Sequence, residues 1–296
     1  MSRWIAVDWG TSALRATLME GGRAVETRAS DAGMGGLDRD GFEPALLHLC
    51  DGWLAEGTTT EVLACGMVGS RQGWHEAPYR GVPCAPIADA AVALPGTDPR
   101  LAVCIVPGLS QTDPHPDVMR GEEVQIAGVL ARLNGFDGCI CLPGTHTKWV
   151  HVSAGEVVSF RTVMTGELFA LVTRQSVLRH STAGDGWEDD AFDAALSDAL
   201  SRPEALTARL FQLRAADLLL GQSPATARAT LSGLLIGAEL AAARAWWLGR
   251  EVAICGSART VPVYEAALRS QGCSTHALPA GETTLAGLDA IREAAQ

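Results

Sequence analysis

The apolar and polar positions of this chain follow two alternating periods. Trp4-Ile5-Ala6-Val7 is a continuous apolar run, and Leu14, Ala16 and Leu18 alternate with Arg15 and Thr17, the period of two that a half-buried strand requires. Strand-like runs recur at Ile5–Asp8, Ala13–Met19, Val62–Met67, Ala102–Val106, Cys139–Leu142, Trp149–Val152, Glu156–Thr162 and Val252–Cys255. Helical periodicity covers Phe42–Ala55, Val118–Leu133, Glu167–Leu178, Asp189–Leu200, Arg209–Leu220, Ala225–Leu248, Pro262–Gln271 and Thr283–Ala295. The mixture predicts an α/β protein. Gly135-Phe136-Asp137-Gly138 is the best candidate break, dividing the chain into residues 1–134 and 135–296. Each part opens with a β-hairpin around a Gly/Thr turn, at Asp8–Ser12 and at Pro143–Lys148, and each continues into helices and a further buried strand. That common pattern points to an internal duplication too old to survive in residue identities.

The two turns carry the first chemical signal. A strand ending in Asp8 and followed by Gly10, Thr11 and Ser12 offers one carboxylate for a metal ion and several N–H and hydroxyl donors for phosphate oxygens. The chain then returns as a strand, which argues against a P-loop, where a helix must follow. The second turn packs Gly144, Thr145, His146, Thr147 and Lys148 between two strands, a composition suited to phosphate, although Pro-Gly and Thr are common in turns for backbone reasons alone. Neither G-x-x-x-x-G-K-[ST] nor G-x-G-x-x-G occurs. Near the end, Val252–Cys255 runs as a buried strand into Gly256, Ser257 and Ala258, a small-residue turn on which a flat adenine or ribose could lie, although a tight strand-to-helix connection needs Gly equally. Glu122 and Glu123 open the helix that precedes the break. Acids in a first turn serve the helix dipole, and a carboxylate placed there can also act as general base toward a hydroxyl. The acidic run from Asp185 to Asp190 reads in the same way, as a solvated helix start.

Composition narrows the partners. The 296 residues are 47% hydrophobic, enough for a sizeable core, and the net charge of -11 disfavours nucleic acid or an anionic membrane as a partner. Lys148 is the one lysine among 23 Lys and Arg, so its place inside the second Gly/Thr turn stands out. Eight scattered cysteines without a C-x-x-C pair read as buried small hydrophobes of a reducing cytoplasm. The most apolar helical stretch, Leu231–Leu248, is interrupted by Glu239 and Arg244 and is short for a membrane span.

In this order and spacing, Asp8-Trp9-Gly10-Thr11-Ser12, Pro143-Gly144-Thr145-His146-Thr147-Lys148 and Cys255-Gly256-Ser257-Ala258 resemble the phosphate-1, phosphate-2 and adenosine motifs of the superfamily of acetate and sugar kinases, actin-like chaperones and actin. More specifically, Val7–Thr11, Ala64–Trp74, Val106–Gln111, Asp117–Glu123, Leu142–Trp149, Met164–Phe169 and Leu231–Leu240 resemble the 2-dehydro-3-deoxygalactonokinases from end to end. The resemblance implies two ribonuclease H-like lobes with a nucleotide cleft between them. The first, 1–134, would carry the phosphate-1 hairpin, sugar-acid loops and connecting helix. The second, 135–296, would carry the other two motifs, a helical insertion at about 174–230 and a C-terminal helix packing back toward the first. It also implies ATP-dependent phosphorylation of the C6 hydroxyl of 2-dehydro-3-deoxy-D-galactonate with Mg²⁺, in the cytoplasm, and the segment 174–230 offers a surface for a homodimer.

Roles follow from that resemblance. Asp8 would hold Mg²⁺, through water. Gly10, Thr11, Ser12, Gly144, Thr145, His146 and Thr147 would contact phosphates, with Arg15 or Lys148 neutralising charge on the transferred group, and Gly256, Ser257 and Ala258 would meet the adenosine. The superfamily's acidic residue at the start of phosphate-2 is replaced here by Leu142-Pro143, so the base is expected from Glu122 or Glu123, in a Gly-x-Glu-Glu stretch that is similar to that of exopolyphosphatases. Arg71, Arg120 and Arg161 are candidates for the substrate carboxylate, with Ser70, Gln72 and Glu167 as further sugar contacts. Three other readings use the same turns. An actin-like ATPase would need no small-molecule pocket, an exopolyphosphatase would favour a basic channel over a charge of -11, and a kinase of the gluconate epimer would differ by one or two hydrogen bonds.

Overall fold

The structure is a computed structural model and describes residues 3–296. In chain order the first part contains β1 (Arg3–Trp9), β2 (Leu14–Glu20), β3 (Arg23–Ser30), α1 (Phe42–Leu49), β4 (Thr60–Gly66), β5 (Arg80–Gly81), β6 (Val92–Ala93), β7 (Leu101–Ile105), β8 (Leu109–Gln111), β9 (Asp117–Met119) and α2 (Glu122–Arg132). There follow β10 (Gly138–Leu142), β11 (Thr147–Ser153), β12 (Glu156–Val163), α3 (Thr165–Gln175), α4 (Asp189–Ser201), α5 (Leu206–Leu220), α6 (Pro224–Ala242), α7 (Arg244–Trp247), β13 (Val252–Gly256), α8 (Val261–Arg269), β14 (Thr275–Pro279) and α9 (Ala280–Ala294). The architecture is mixed α/β. Two compact units result. One comprises Met1–Phe136, Val152–Ser159 and Ala280–Gln296, and the other Asp137–His151 and Phe160–Pro279, so the last helix and the tip of the β11–β12 hairpin group with the first unit.

The first unit is built on a sheet of order β3-β2-β1-β4-β7-β6, with β1, β4 and β7 parallel and β2 antiparallel to β1. Strand alternation sends Ile5, Val7 and Trp9 into a core with Phe42 and Leu46 of α1, and Trp4 and Ala6 into a second core with Val124 and Ala127 of α2 and Leu288 and Ile291 of α9. Asp8 continues the Trp4 and Ala6 series, which turns its carboxylate toward the α2 and α9 side. Those two helices cross where Gly128 and Gly287 leave room. A Cβ on Gly128 would lie 1.8 Å from the Thr283 carbonyl oxygen, and one on Gly287 1.9 Å from that of Val124.

The second unit's sheet runs β12-β11-β10-β13-β14. With the edge strand β6 of the first left out of the count, both sheets read third, second, first, fourth, fifth in chain order. Cys139, Cys141, Trp149, Val252 and Ile254 pack with Phe192, Leu196, Ile236 and Leu240. No helix among the described residues is long and apolar enough to cross a membrane.

Three helix expectations are corrected, and the first, over 42–55, ends at Leu49 ahead of a turn with Gly52 at φ 79°. The helix expected over 118–133 begins at Glu122, because Asp117–Met119 pairs as a strand with Leu109–Gln111 and Gly121 turns the backbone at φ 100°. The helix expected over 225–248 divides after Ala242. Arg23–Ser30 and Thr275–Pro279 are strands that the pattern did not reveal. The first is an edge strand exposed along most of its length, with no apolar alternation to read.

Candidate functional site

In the first unit the chemistry gathers at the ends of β1 and β4. Asp8 lies opposite Arg15 across the hairpin and opposite Cys65 on the parallel strand. Arg15 Nη1 donates to Asp8 Oδ2 at 3.1 Å, while burial raises the Asp8 carboxyl above its ordinary range against the lowering effect of that guanidinium. The turn beyond it is fixed from both sides. Gly10 N–H donates to the Ala13 carbonyl at 2.9 Å, and the Gly10 and Thr11 carbonyls accept from the N–H groups of Met34 and Gly35 at 3.0 and 2.9 Å. Thr11 and Ser12 stay exposed.

The two glutamates of α2 behave differently. Glu122 Oε2 accepts from the Arg120 N–H at 3.0 Å and its side chain is part-buried. Glu123 is 2% exposed. Its Oε2 accepts from the Gly121 N–H at 2.6 Å, and its Oε1 is buried without a hydrogen-bond partner. Burial, reinforced by the neighbouring Glu122 charge, pushes its carboxyl up to about 8. Burial together with the charges of Asp8 and Glu123 also raises the Cys65 thiol.

The three candidate arginines separate. Arg71 is largely exposed beside Glu76 at 3.7 Å, with Gln72 exposed next to it. Arg161, in the second unit, donates to the Ala242 carbonyl at 3.0 Å. Arg120 donates from Nη2 to the Ala77 carbonyl at 2.8 Å and its guanidinium lies 4.4 Å from the centre of the Tyr79 ring, while its Nε and Nη1 are buried without partners. Ser70 is likewise buried with an unpartnered hydroxyl.

In the second unit the turn Pro143–Lys148 meets the start of α3. Gly166 touches the turn so closely that a Cβ there would lie 2.1 Å from the Gly144 carbonyl oxygen, and the Glu167 N–H donates to the Thr145 carbonyl at 2.9 Å. His146 and Glu167 also join side chain to side chain. Alternation along β11 sends Thr147 and Lys148 to opposite faces. Thr147 Oγ1 lies 3.1 Å from Tyr264 OH, whereas Lys148, 5% exposed, donates from Nζ to Thr162 Oγ1 at 2.8 Å. Beneath the turn sits Glu239 of α6. It accepts from Trp149 Nε1 and from Tyr264 OH, each at 2.9 Å, and from the hydroxyls of Thr165 and Thr147. Burial raises its carboxyl despite those bonds.

A cavity of about 780 Å³ opens beside this network, lined by Gly144, Thr145, Thr165, Gly166, Thr260 and Tyr264 among others. Gly256, Ser257 and Ala258 are not in its wall, although the adjoining Arg259 and Thr260 are. Ser257 and Thr260 cap each other, Thr260 N–H donating to Ser257 Oγ at 3.1 Å and Ser257 N–H to Thr260 Oγ1 at 3.2 Å.

Comparison with known proteins decides the family. The sequence profile described as 2-keto-3-deoxy-galactonokinase matches residues 8–291. The chain belongs to that family. It is 42% identical over 307 residues to the Rhizobium meliloti (strain 1021) protein named "Probable 2-dehydro-3-deoxygalactonokinase", covering 98% of this chain and 97% of that one. It is 36% identical over 299 residues to the Escherichia coli (strain K12) 2-dehydro-3-deoxygalactonokinase, covering 99% and 98%. A crystal structure of a Sinorhizobium meliloti protein, described as a 2-dehydro-3-deoxygalactonokinase candidate, superposes with a TM-score of 0.92 at 40% identity over 98% of each chain. A xylulose kinase from Lactobacillus acidophilus shares the fold alone, with a TM-score of 0.52 at 11% identity over 99% of this chain and 89% of that one.

For this 2-keto-3-deoxy-galactonokinase family member, sequence reasoning passed over Glu239, Thr165 and Tyr264. The signal for Glu239 was present, since a lone carboxylate inside the apolar helix Leu231–Leu248 must be either paired in the core or a break in the buried face. Tyr264 carried no such mark, because one tyrosine in an amphipathic helix reads as packing.

Proposed function

We propose that this chain is an ATP-dependent kinase that phosphorylates the C6 hydroxyl of 2-dehydro-3-deoxy-D-galactonate. The observation that carries this reading is the family match across residues 8–291, joined by end-to-end relatives named for that activity. The fold reading goes with it. The shared strand order of the two sheets supports a pair of ribonuclease H-like units, and the α4–α6 segment supports a helical insertion in the second. The exposed Phe211, Leu218, Leu219 and Leu220 of α5 support a homodimer surface, and eight free cysteines suit a cytoplasmic enzyme.

Phosphoryl transfer asks a protein mainly to position groups and stabilise charge. Here Glu123 is the better placed base of the two glutamates. It is held by one oxygen, its other oxygen has no partner, and a carboxyl pushed up to about 8 is matched to taking a proton from a hydroxyl near neutral pH. Glu122 raises that value through its charge and braces the helix start through Arg120. The Gly144 and Thr145 turn, exposed above Thr147, supplies donors for phosphate oxygens. Among the arginines, Arg120 is the one with two buried, unpartnered nitrogens, its Nη1 packed beside Gly69, and it is our choice for orienting the sugar-acid end. Asp8 fits Mg²⁺ in the way such an ion is held in kinases, by one carboxylate with waters and substrate phosphate. When bound, the ion would screen phosphate charge, and Asp8 and the residues that fix its strand would hold it.

Two outcomes test this reading. Incubation with ATP, Mg²⁺ and 2-dehydro-3-deoxygalactonate releases ADP faster than with the gluconate epimer, and the opposite order would move the enzyme to the epimer. Asp8→Asn folds with an unchanged melting profile while kcat falls about 10–100-fold, the range found when a metal's outer-shell partner is lost. Near-native turnover removes Asp8 from the reaction.

A further inference from the structure

The cavity in the second unit has a feature that neither the motifs nor the relatives' names assign. Arg174 in the last turn of α3, Arg228 near the start of α6 and Arg259 in the turn before α8 all line it. Several other arginines of the chain find carboxylates, as in Arg100 with Asp98, Arg214 with Asp217 and Arg292 with Glu61 at 2.6 to 2.9 Å. Acids outnumber bases 34 to 23, so partners are plentiful. Yet among the described residues Arg174, Arg228 and Arg259 form no hydrogen bond or ion pair. Arg228 is instead pinned over the Phe169 ring, 4.9 Å from its centre. The cavity contributes one carboxylate, Asp185. Burial lowers the Arg228 guanidinium, with Arg259 and Arg174 adding to the effect and Asp185 opposing it, so unbalanced positive charge gathers around a half-buried Arg228 with Arg174 and Arg259 exposed beside the same cavity.

The size of that imbalance selects the ligand. A monocarboxylate sugar acid would leave most of it unsatisfied, whereas a phosphate chain carries several negative charges and presents oxygens matched to guanidinium forks. Gly144 and Thr145 of the phosphate-binding turn face the same cavity. We propose that Arg174, Arg228 and Arg259 form a subsite that grips the phosphate chain of the phosphoryl donor, carried by a nucleoside triphosphate or by inorganic tripolyphosphate. This assignment rests on the kinase reading for the donor's role. It also relieves Lys148, directed to Thr162, of the charge-neutralising part expected of it.

The test is calorimetric titration of the full chain, at one fixed ionic strength, with ATP, adenosine and inorganic tripolyphosphate. R174A, R228A and R259A each weaken ATP binding about 10–100-fold, the effect expected for losing a hydrogen bond to a charged group, while adenosine binds as in the wild type. R228K, which keeps the charge, recovers part of the loss, and melting profiles confirm that the variants fold. Tripolyphosphate binding that falls in step supports a subsite that reads the chain itself. ATP binding that falls with no tripolyphosphate binding at all supports a subsite that needs the nucleoside. The proposal is overturned if the alanine variants bind ATP like the wild type, or if adenosine weakens as much as ATP. Arginine-dependent ATP binding without turnover of any keto-deoxy sugar acid would sink the kinase reading and leave the subsite standing.

Discussion

Glu123→Gln lowers kcat by about 10²–10⁴-fold, the span that a positioned general base contributes, while Glu122→Gln changes it far less. The reason lies in what each carboxylate is free to do. Glu123 spends one oxygen on the Gly121 N–H and leaves the other unpartnered in a buried position, whereas Glu122 is tied to the Arg120 backbone. The pH profile carries the same signature. With the Glu123 carboxyl at about 8, the base gains its active form as pH rises, so kcat/KM of the wild type climbs from pH 6 toward about 8. Stability runs the other way. A folded-state value raised above the unfolded one gives stability that is fully present below the unfolded range, near 4.5, and is lost as pH rises through about 8. Glu123→Gln cannot lose a proton, so its melting temperature exceeds that of the wild type at pH 8 and the gap closes by pH 4. A less active but more alkali-stable variant is the combined result expected of a buried carboxyl that serves as a general base. A steady-state rate profile and a melting series over the same pH range check both halves, and equal mild rate losses for the two variants would remove the role from this pair.

Glu239→Ala has the largest expected effect on stability. It deprives Trp149 Nε1, Tyr264 OH and the Thr147 and Thr165 hydroxyls of a common acceptor inside the core. Stranded buried donors of this kind cost about 3–5 kcal/mol in total after the hydroxyls turn to other partners, a large fraction of the ~5–15 kcal/mol that holds a domain folded. Glu239→Gln keeps one oxygen for the indole and an amide that the hydroxyls can accept from, so it loses much less. Because Thr165 and Tyr264 also line the cavity, the alanine variant raises the KM for ATP while the glutamine variant leaves it near the wild-type value. Melting curves and ATP-dependent rates of the two variants measure this, and equal KM values would reduce Glu239 to a purely packing role.

How legible each part was depended on where its physical cause lay. The β1 and β2 strands announced themselves because their alternation is written into consecutive residues, and so did the turns, since Asp8, Gly10 and Thr11 or Gly144 and Thr145 stand next to each other in the chain. The edge strand Arg23–Ser30 did not, because an exposed strand owes its shape to the neighbour it pairs with rather than to buried side chains. The helix over 118–133 was drawn too long for a related reason. Val118 and Met119 continue the apolar pattern, and only pairing with β8 and the positive φ of Gly121 end it there.

By itself the sequence determined the α/β class, the doubled hairpin pattern, the phosphate-suited turns and, through whole-chain motifs, the family. All of these are local or ordered along the chain. The tertiary structure alone decided between neighbours and gathered strangers. It separated Glu123 from Glu122 by burying one carboxylate oxygen, turned Lys148 away from Thr147 by strand alternation, and placed Glu239 beneath residues 74 to 92 positions away in sequence. It also brought Arg174, Arg228 and Arg259 from three elements to one cavity. Burial and charge act through distance in space, and no pattern along the chain encodes a distance between residues that only folding brings together.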